Sequence, residues 1–299
     1  MEEKKLLLLS SVLIAIIVLV AIGSALSLKP APSTGYVALI KLEGVLAYRT
    51  SQITIFGMPT DAEDLLKLLD EAGRDPDAKA VVLFVDSPGG EAAASEALYL
   101  KIRKLAASKP VVAFVRGYGT SGAYMAILPS RRIVAANSSI VGSVGVYVSV
   151  ITYRGLLEKL GIKAYVYKSG ELKDIGSPFR EPTEEDKRVL QGIVDGIFKL
   201  FKERVMAHRN ITDEEVFSGR PFTAEEALKA GLIDEIGAPS DAINLARRLA
   251  GLPEDAPVHE LKPPRPSLLQ LLLEGTLMRE QPVVPSIEIL TMWPPPAGL

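Results

Sequence analysis

Ser121 sits in a run of small residues, GYGTSGAYMA (117–126), just after a β-branched and aromatic stretch, PVVAFVRG, and just before helix-forming residues. A serine on a strand-to-helix turn, with Gly119 and Ala123 two residues to either side, has the setting of an exposed nucleophile. Small-Ser-small spacing also occurs where a serine merely packs a tight junction, so other residues must complete the chemistry. DSPGG (86–90) closes a second apolar run. Ligands of α/β folds bind at such carboxyl ends of buried strands, and glycines let a backbone approach a substrate closely. The amides of Gly89 and of Gly122, one residue past Ser121, are candidates to hold a developing oxyanion, each worth roughly 3–4 kcal/mol of barrier.

A base is then needed. The chain has no cysteine and two histidines, His208 in a charged helical stretch and His259 in a proline-rich tail, both expected at the solvated surface. Lysine remains, and a serine–lysine pair is a known substitute for the triad. A free lysine titrates near 10.4, and desolvation lowers that by as much as 3–5 units, so a working lysine must be buried in the assembled site. VYKSGELKDIGSPFRE (166–181) offers Lys168 and Lys173; spacing alone does not choose between them.

The elements that must carry these residues follow from periodicity. YVALIKLEGVL (36–46), KAVVLFVDSPGG (79–90) and PVVAFV (110–115) are apolar runs of the kind found in strands buried on both faces. DAEDLLKLLDEAGRD (61–75) and EAAASEALYLKIRKLAASK (91–109) predict helices, 131–150 predicts strand and turn, and GIKAYVYKSG (161–170) predicts one more strand. From 183 the chain reads as helical, with capping boxes at Thr183/Asp186 and Thr223/Glu226. Strands alternating with helices predict an α/β domain with largely parallel pairing, closing near Leu252.

Composition limits the rest. A net charge of −2 leaves no basic footprint for nucleic acid, and without cysteine and with two distant histidines neither a disulfide nor a metal site is expected. Leu6 to Leu28 is 23 residues without a charge, about 35 Å as a helix and enough to cross a bilayer. It exceeds the apolar core of a cleaved signal peptide, so a retained anchor (1–28) is expected, followed by the linker 29–35. Lys4 and Lys5 place the N-terminus in the cytoplasm and the bulk of the chain outside the cell membrane. Residues 253–299 hold ten prolines around SLLQLLLEGTLM (267–278) and read as a tail, partly disordered, whose leucine segment is suited to docking on a neighbour, on membrane or in the protein's own groove, with protein the expected partner.

LIKLEGVL, DSPGG, GYGTSGAYMA, GSVGV (142–146), KSGELKDIGSPFRE and GRPFTAEEALKAGLIDEIG (219–237) occur in this order over roughly residues 36 to 250. Together they resemble the signal peptide peptidase A (protease IV) family of the Clp/crotonase-like superfamily. The resemblance implies a Clp/crotonase-like α/β fold of repeated ββα units and a serine endopeptidase without cofactor or metal. It implies Ser121 as nucleophile, Lys173 as general base, Ser143 as the residue that orients the lysine, and Gly89 with Gly122 as oxyanion hole. The chain resembles the short, single-repeat type, which implies a ring-shaped homo-oligomer whose subunits share active sites. Its implied substrates are cleaved signal peptides and similar apolar peptides at the membrane. The alternatives are a membrane protease that cleaves a stomatin-type partner, an acyl-CoA enzyme of the crotonase type, and an inactive membrane scaffold of the same fold.

Overall fold

The computed structural model describes residues 14, 35–48, 60–211, 213–263 and 289–292. The chain divides into two units, Met1–Thr34 and Gly35–Leu299; in the first, Ile14 is helical and exposed. Apart from Ile14, the expected anchor lies outside the described residues, as does the leucine-rich segment 267–278. Among the described residues no helix is long and apolar enough to cross a membrane.

The second unit is built on a mixed sheet whose central strands are the three apolar runs. β1 (Tyr36–Ala47) pairs in parallel with β3 (Ala78–Glu91), and β3 in parallel with β4 (Val111–Thr120). β2 (Thr60–Asp61) and β10 (Val258–Glu260) add to β1, and β5 (Arg132–Ala135) and β9 (Glu235–Ile236) continue beyond β4. The period of two is visible in the packing. Val81, Leu83, Val85, Val111, Ala113 and Val115 enter the larger core, while Ala80, Val82, Val112, Phe114 and Val134 enter a second core on the opposite face. The larger core also takes Leu65, Leu68 and Leu69 of α1 (Ala62–Arg74) and Leu98, Tyr99 and Ile102 of α2 (Ala92–Ala106). Both faces of the sheet are therefore covered, which is why these strands read as continuous apolar runs.

β4 forks at its carboxyl end. Residues 112–115 pair with β5, whereas Tyr118, Gly119 and Thr120 pair in parallel with Ile140, Val141 and Gly142 of β6 (Ile140–Gly142). The fork opens directly beneath α3 (Gly122–Ile127), which carries the fully buried Tyr124. β7 (Tyr147–Val148), α4 (Arg154–Lys159) and α5 (Glu184–His208) follow. Then come β8 (Pro221–Thr223), which pairs antiparallel with β6, α6 (Ala224–Lys229) and α7 (Pro239–Leu249), whose Ala242 and Ala246 cover the second core. Both expected capping boxes form, Thr183 with Asp186 at α5 and Thr223 with Glu226 at α6.

Three sequence expectations are corrected. Residues 161–170 are not a strand within this chain: Ile162, Tyr165, Val166 and Tyr167 are exposed, and β-forming residues stay irregular where no neighbouring backbone is offered. His208 is half-buried rather than solvated, 2.9 Å from the Tyr99 hydroxyl. His259 is exposed, as expected, although it lies in β10 rather than in an irregular tail, stacked on Tyr36 with ring centroids 4.4 Å apart. Beyond Leu252 the sheet continues through β10 and through β11 (Ile289–Met292), which pairs antiparallel with both β3 and β7.

Candidate active site

The parallel register of β4 on β6 brings Ser121 beside Ser143. Thr120 is opposite Gly142, and the next residue of each strand is a serine whose chain bends away; the Ser121 N–H donates to the Gly142 carbonyl at 2.6 Å. Ser121 has φ 53° and ψ −122°, Ser143 has φ 52°, and among the described residues these are the two non-glycine residues with positive φ. Such backbone costs on the order of 1–3 kcal/mol per residue and persists where surrounding structure over-determines it, commonly at functional sites. Here the two strained residues share one cavity.

Small residues are required around the elbow. A Cβ on Gly119 would come within 2.7 Å of the Val115 side chain, and Ala123 is fully buried under the turn. DSPGG is tied alongside. Ser87 is opposite Gly119 in the β3–β4 register, and the Asp86 carboxylate accepts from the Tyr118 N–H at 3.0 Å. Gly89 has φ 106°, open to glycine because it lacks Cβ. Its N–H donates to the buried Ser87 hydroxyl at 3.2 Å. Gly122 opens α3, and first-turn N–H groups of a helix have no intrahelical acceptor.

Ser143 is held from two sides: its hydroxyl donates to the Gly219 carbonyl at 2.9 Å and its N–H to the Arg220 carbonyl at 3.1 Å. With its proton committed to Gly219, the oxygen keeps lone pairs for a donor in the cavity. That cavity, about 550 Å³, is lined by Ser121, Ser143 and Tyr147 and walled by Val194, Phe198 and Phe217. The α5 wall was missed in the sequence, although Val194, Phe198, Phe201 and Val205 recur at helical spacing; Phe201 and Val205 are buried in the core, Val194 lines the cavity, and Phe198 does both.

Lys173 does not line the cavity within its own chain. It lies in a short 3-10 turn, Glu171–Asp174, with an exposed side chain. The loop around it is nevertheless anchored. Arg180 grips the neighbouring Asp174 with Nε to Oδ2 at 3.0 Å and Nη2 to Oδ1 at 2.9 Å, and Lys168 Nζ adds a 2.7 Å contact to the same carboxylate. The same guanidinium contacts Asp186, the capping-box residue buried at the start of α5. Hydrogen bonds from Arg180, then Lys168, hold the Asp174 carboxyl below the usual carboxylate range. Arg180, followed by the Thr183 N–H, does the same for Asp186. Lys168, left open beside Lys173 by spacing, is thus engaged in an ion pair with Asp174.

Residues 103–253 match peptidase family S49. Over 195 residues the chain is 43% identical to a candidate protease of Methanocaldococcus jannaschii, covering 64% of this chain and 63% of that protein. It is 33% identical over 243 residues to a candidate signal peptide peptidase of Enterococcus faecium, covering 79% of this chain and 70% of the relative. A solved membrane-bound stomatin-specific protease aligns with 77% of this chain and 99% of its own at 15% identity and a TM-score of 0.46.

Proposed function

This chain belongs to peptidase family S49, whose members are serine peptidases, and from that premise we propose that it is a membrane-anchored endopeptidase. Ser121 is its nucleophile, Lys173 its general base, and signal peptides and similar apolar peptides are its substrates. The observation that carries this reading is the pairing of Ser121 and Ser143, both at positive φ, on one apolar-walled cavity. The charge-free segment 6–28 is the proposed anchor, with the peptidase domain outside the cell.

The lysine comes from a neighbouring subunit. Lys173 is exposed in its own chain and needs burial to work as a neutral base. The stretch of chain that carries it, 154–180, exposes apolar side chains including Leu156, Leu160, Tyr165, Tyr167 and Phe179, suited to a second copy of the chain that would also give 161–170 a backbone partner. Delivered to the cavity, the amine donates an N–H to Ser143 Oγ, whose own proton is held by Gly219. That leaves the nitrogen lone pair for the Ser121 proton.

Ser121 Oγ then attacks the substrate carbonyl carbon as Lys173 takes its proton. The oxyanion is held by the N–H groups of Gly89 and Gly122; the Gly89 contact to Ser87, long at 3.2 Å, is readily exchanged for a charged acceptor. The lysinium gives its proton to the leaving amine as the C–N bond breaks. Lysine next takes a proton from water, and hydroxide adds to the acyl-enzyme. Collapse of that adduct frees the peptide acid, and the proton returns to Ser121.

Serine-directed phosphonate labelling with mass spectrometry tests the nucleophile: the expected adduct is on Ser121, and a different modified serine overturns the assignment. Ser121→Ala and Lys173→Ala chains are each expected to be inactive with the oligomer intact, and cleavage surviving in both discards the peptidase. Co-assembled, the two variants should regain activity, since a subunit keeping Ser121 would sit beside one keeping Lys173. Absence of recovery overturns the shared site.

A further inference from the structure

Ser143 keeps its φ of 52° because it is restrained from across the site, as a non-glycine residue at positive φ must be. The restraint is a pair of consecutive carbonyls. Gly219 accepts from the Ser143 hydroxyl at 2.9 Å, and Arg220 accepts from its N–H at 3.1 Å. Packing is close on the same side, where a Cβ on Gly145 would lie 3.1 Å from the Gly219 Cα. A shift of 219–220 is therefore passed to Ser143, and Ser218 and Gly219 line the Ser121 cavity themselves.

Those two carbonyls lie on a turn between the 3-10 segment Glu214–Ser218 and β8, with Gly219 at φ 86°. The Arg220 side chain ties this turn to both flanking elements. Its Nε is 2.9 Å from Glu215 Oε1 in the 3-10 segment, and its Nη1 is 3.3 Å from Glu226 Oε1 in α6. Glu226 is fixed in turn, since its Oε2 accepts from the Thr223 N–H and hydroxyl, each at 2.9 Å. The guanidinium carbon stands 3.8 Å above the centre of the Phe222 ring. Phe222 is buried and reaches the opposite end of the site, where a Cβ on Gly142 would come within 3.1 Å of the ring. Gly142 supplies the carbonyl that accepts from the Ser121 N–H.

We propose that Arg220 is a positioning residue of this site: its side chain holds the 219–220 carbonyls where they orient Ser143, and through Ser143 it sets the direction of the lysine amine. The inference rests on the peptidase reading for its effect on rate, while the hold on Ser143 stands on the contacts alone. The Arg220 side chain does not itself line the cavity, so it acts through Ser143. Side-chain exposures of 35% for Arg220, 55% for Glu215 and 47% for Glu226 decide what the ion pairs are for. Pairs this open to water add little to stability, so their value is in geometry. That geometry needs arginine: a planar fork can meet two carboxylates and lie flat on an aromatic ring, and a lysine ammonium cannot.

The test is a double-mutant cycle in the full chain, with Arg220→Lys, Ser143→Ala and the two combined. Arg220→Lys should lower kcat on an apolar fluorogenic peptide by about 10–100-fold, with KM within about twofold and Tm within about 4 °C of the parent. In the Ser143→Ala background the same substitution should cost less than about twofold, because the hydroxyl it acts through is already gone. The rate of phosphonate labelling at Ser121 should follow the same pattern. An unchanged kcat in Arg220→Lys overturns the proposal, and so do losses that simply multiply in the combined variant. Hydrogen exchange supplies a readout independent of activity: the Ser143 amide should lose protection in Arg220→Lys, and unchanged exchange there overturns the hold on Ser143. If the parent chain neither labels at Ser121 nor cleaves peptide, the peptidase reading fails, and the exchange measurement still decides whether Arg220 holds Ser143.

Discussion

Replacing Gly90 by alanine should disable the site without unfolding the protein, through a clash that no rotamer relieves. A Cβ built on Gly90 falls 2.0 Å from the Leu46 carbonyl oxygen, 2.6 Å from the Leu46 nitrogen and 2.7 Å from the Leu46 carbonyl carbon. All three are backbone atoms of the partner strand, in the pair where Leu46 is opposite Gly90. Real contacts at that separation do not persist, so β1 and β3 must part locally by about 1 Å, a displacement that can cost about 100-fold in rate when it reaches a catalytic group. It does reach one: Gly89, the adjacent residue, is the proposed oxyanion donor, and losing such a donor lowers kcat by about 10²–10³. Overpacking a filled interior costs about 1–3 kcal/mol. For a domain of this size each kcal/mol lowers Tm by roughly 2–4 °C, so the expected loss is several degrees rather than collapse. The assay is kcat and KM on an apolar fluorogenic peptide, with circular dichroism melting and light scattering to follow fold and assembly. Gly196→Ala, where nothing lies within 4 Å of the new Cβ in the exposed part of α5, is the control; it should gain about 0.4–1 kcal/mol and keep its rate. A Gly90→Ala enzyme with kcat within about twofold of the parent would refute the reasoning that ties this backbone approach to transition-state binding.

Two further outcomes are expected. Arg180→Lys keeps the charge but not the planar fork that grips Asp174 and Asp186 together. It should therefore lower kcat by up to about 100-fold with little change in KM; an unchanged kcat would show that the anchored loop does not set the placement of Lys173. Burial, reinforced by Arg209, Arg103 and Arg204, holds the His208 imidazole below its ordinary 6.5. As pH falls through 6.5 the unfolded chain therefore takes up a proton before the folded one does. The stability linked to His208 is complete above that pH and is lost as pH falls toward the lower folded value. Tm should decline over that acid window, and His208→Gln should flatten the decline; an identical profile in the variant would assign the pH dependence to other groups.

Much of this protein was readable along the chain because the signals are local. The apolar runs at 36–46, 79–90 and 110–115 became central strands, since a strand buried on both faces needs side chains suited to both cores. Thr183 and Thr223 stand at helix starts because a side-chain oxygen there satisfies an otherwise orphaned N–H within three residues. The elbow at Ser121 was visible in its small neighbours, and Gly119 proves to be small because Val115 leaves no room for a Cβ. What depends on residues distant in sequence could not be read this way. Register alone sets Ser143 beside Ser121, with its hydroxyl proton fixed by Gly219, 76 residues away. The cavity wall is assembled from one face of α5, and no local pattern distinguishes Val194 and Phe198 from the core residues Phe201 and Val205. Segment 161–170 has strand composition but pairs with no strand among the described residues, whereas 289–292, in a proline-rich tail, becomes a strand because β3 and β7 present two open edges. Propensity and capping act over a few residues and are written in the sequence; backbone pairing between distant segments is a property of the assembled sheet, and it decides which residues meet at Ser121.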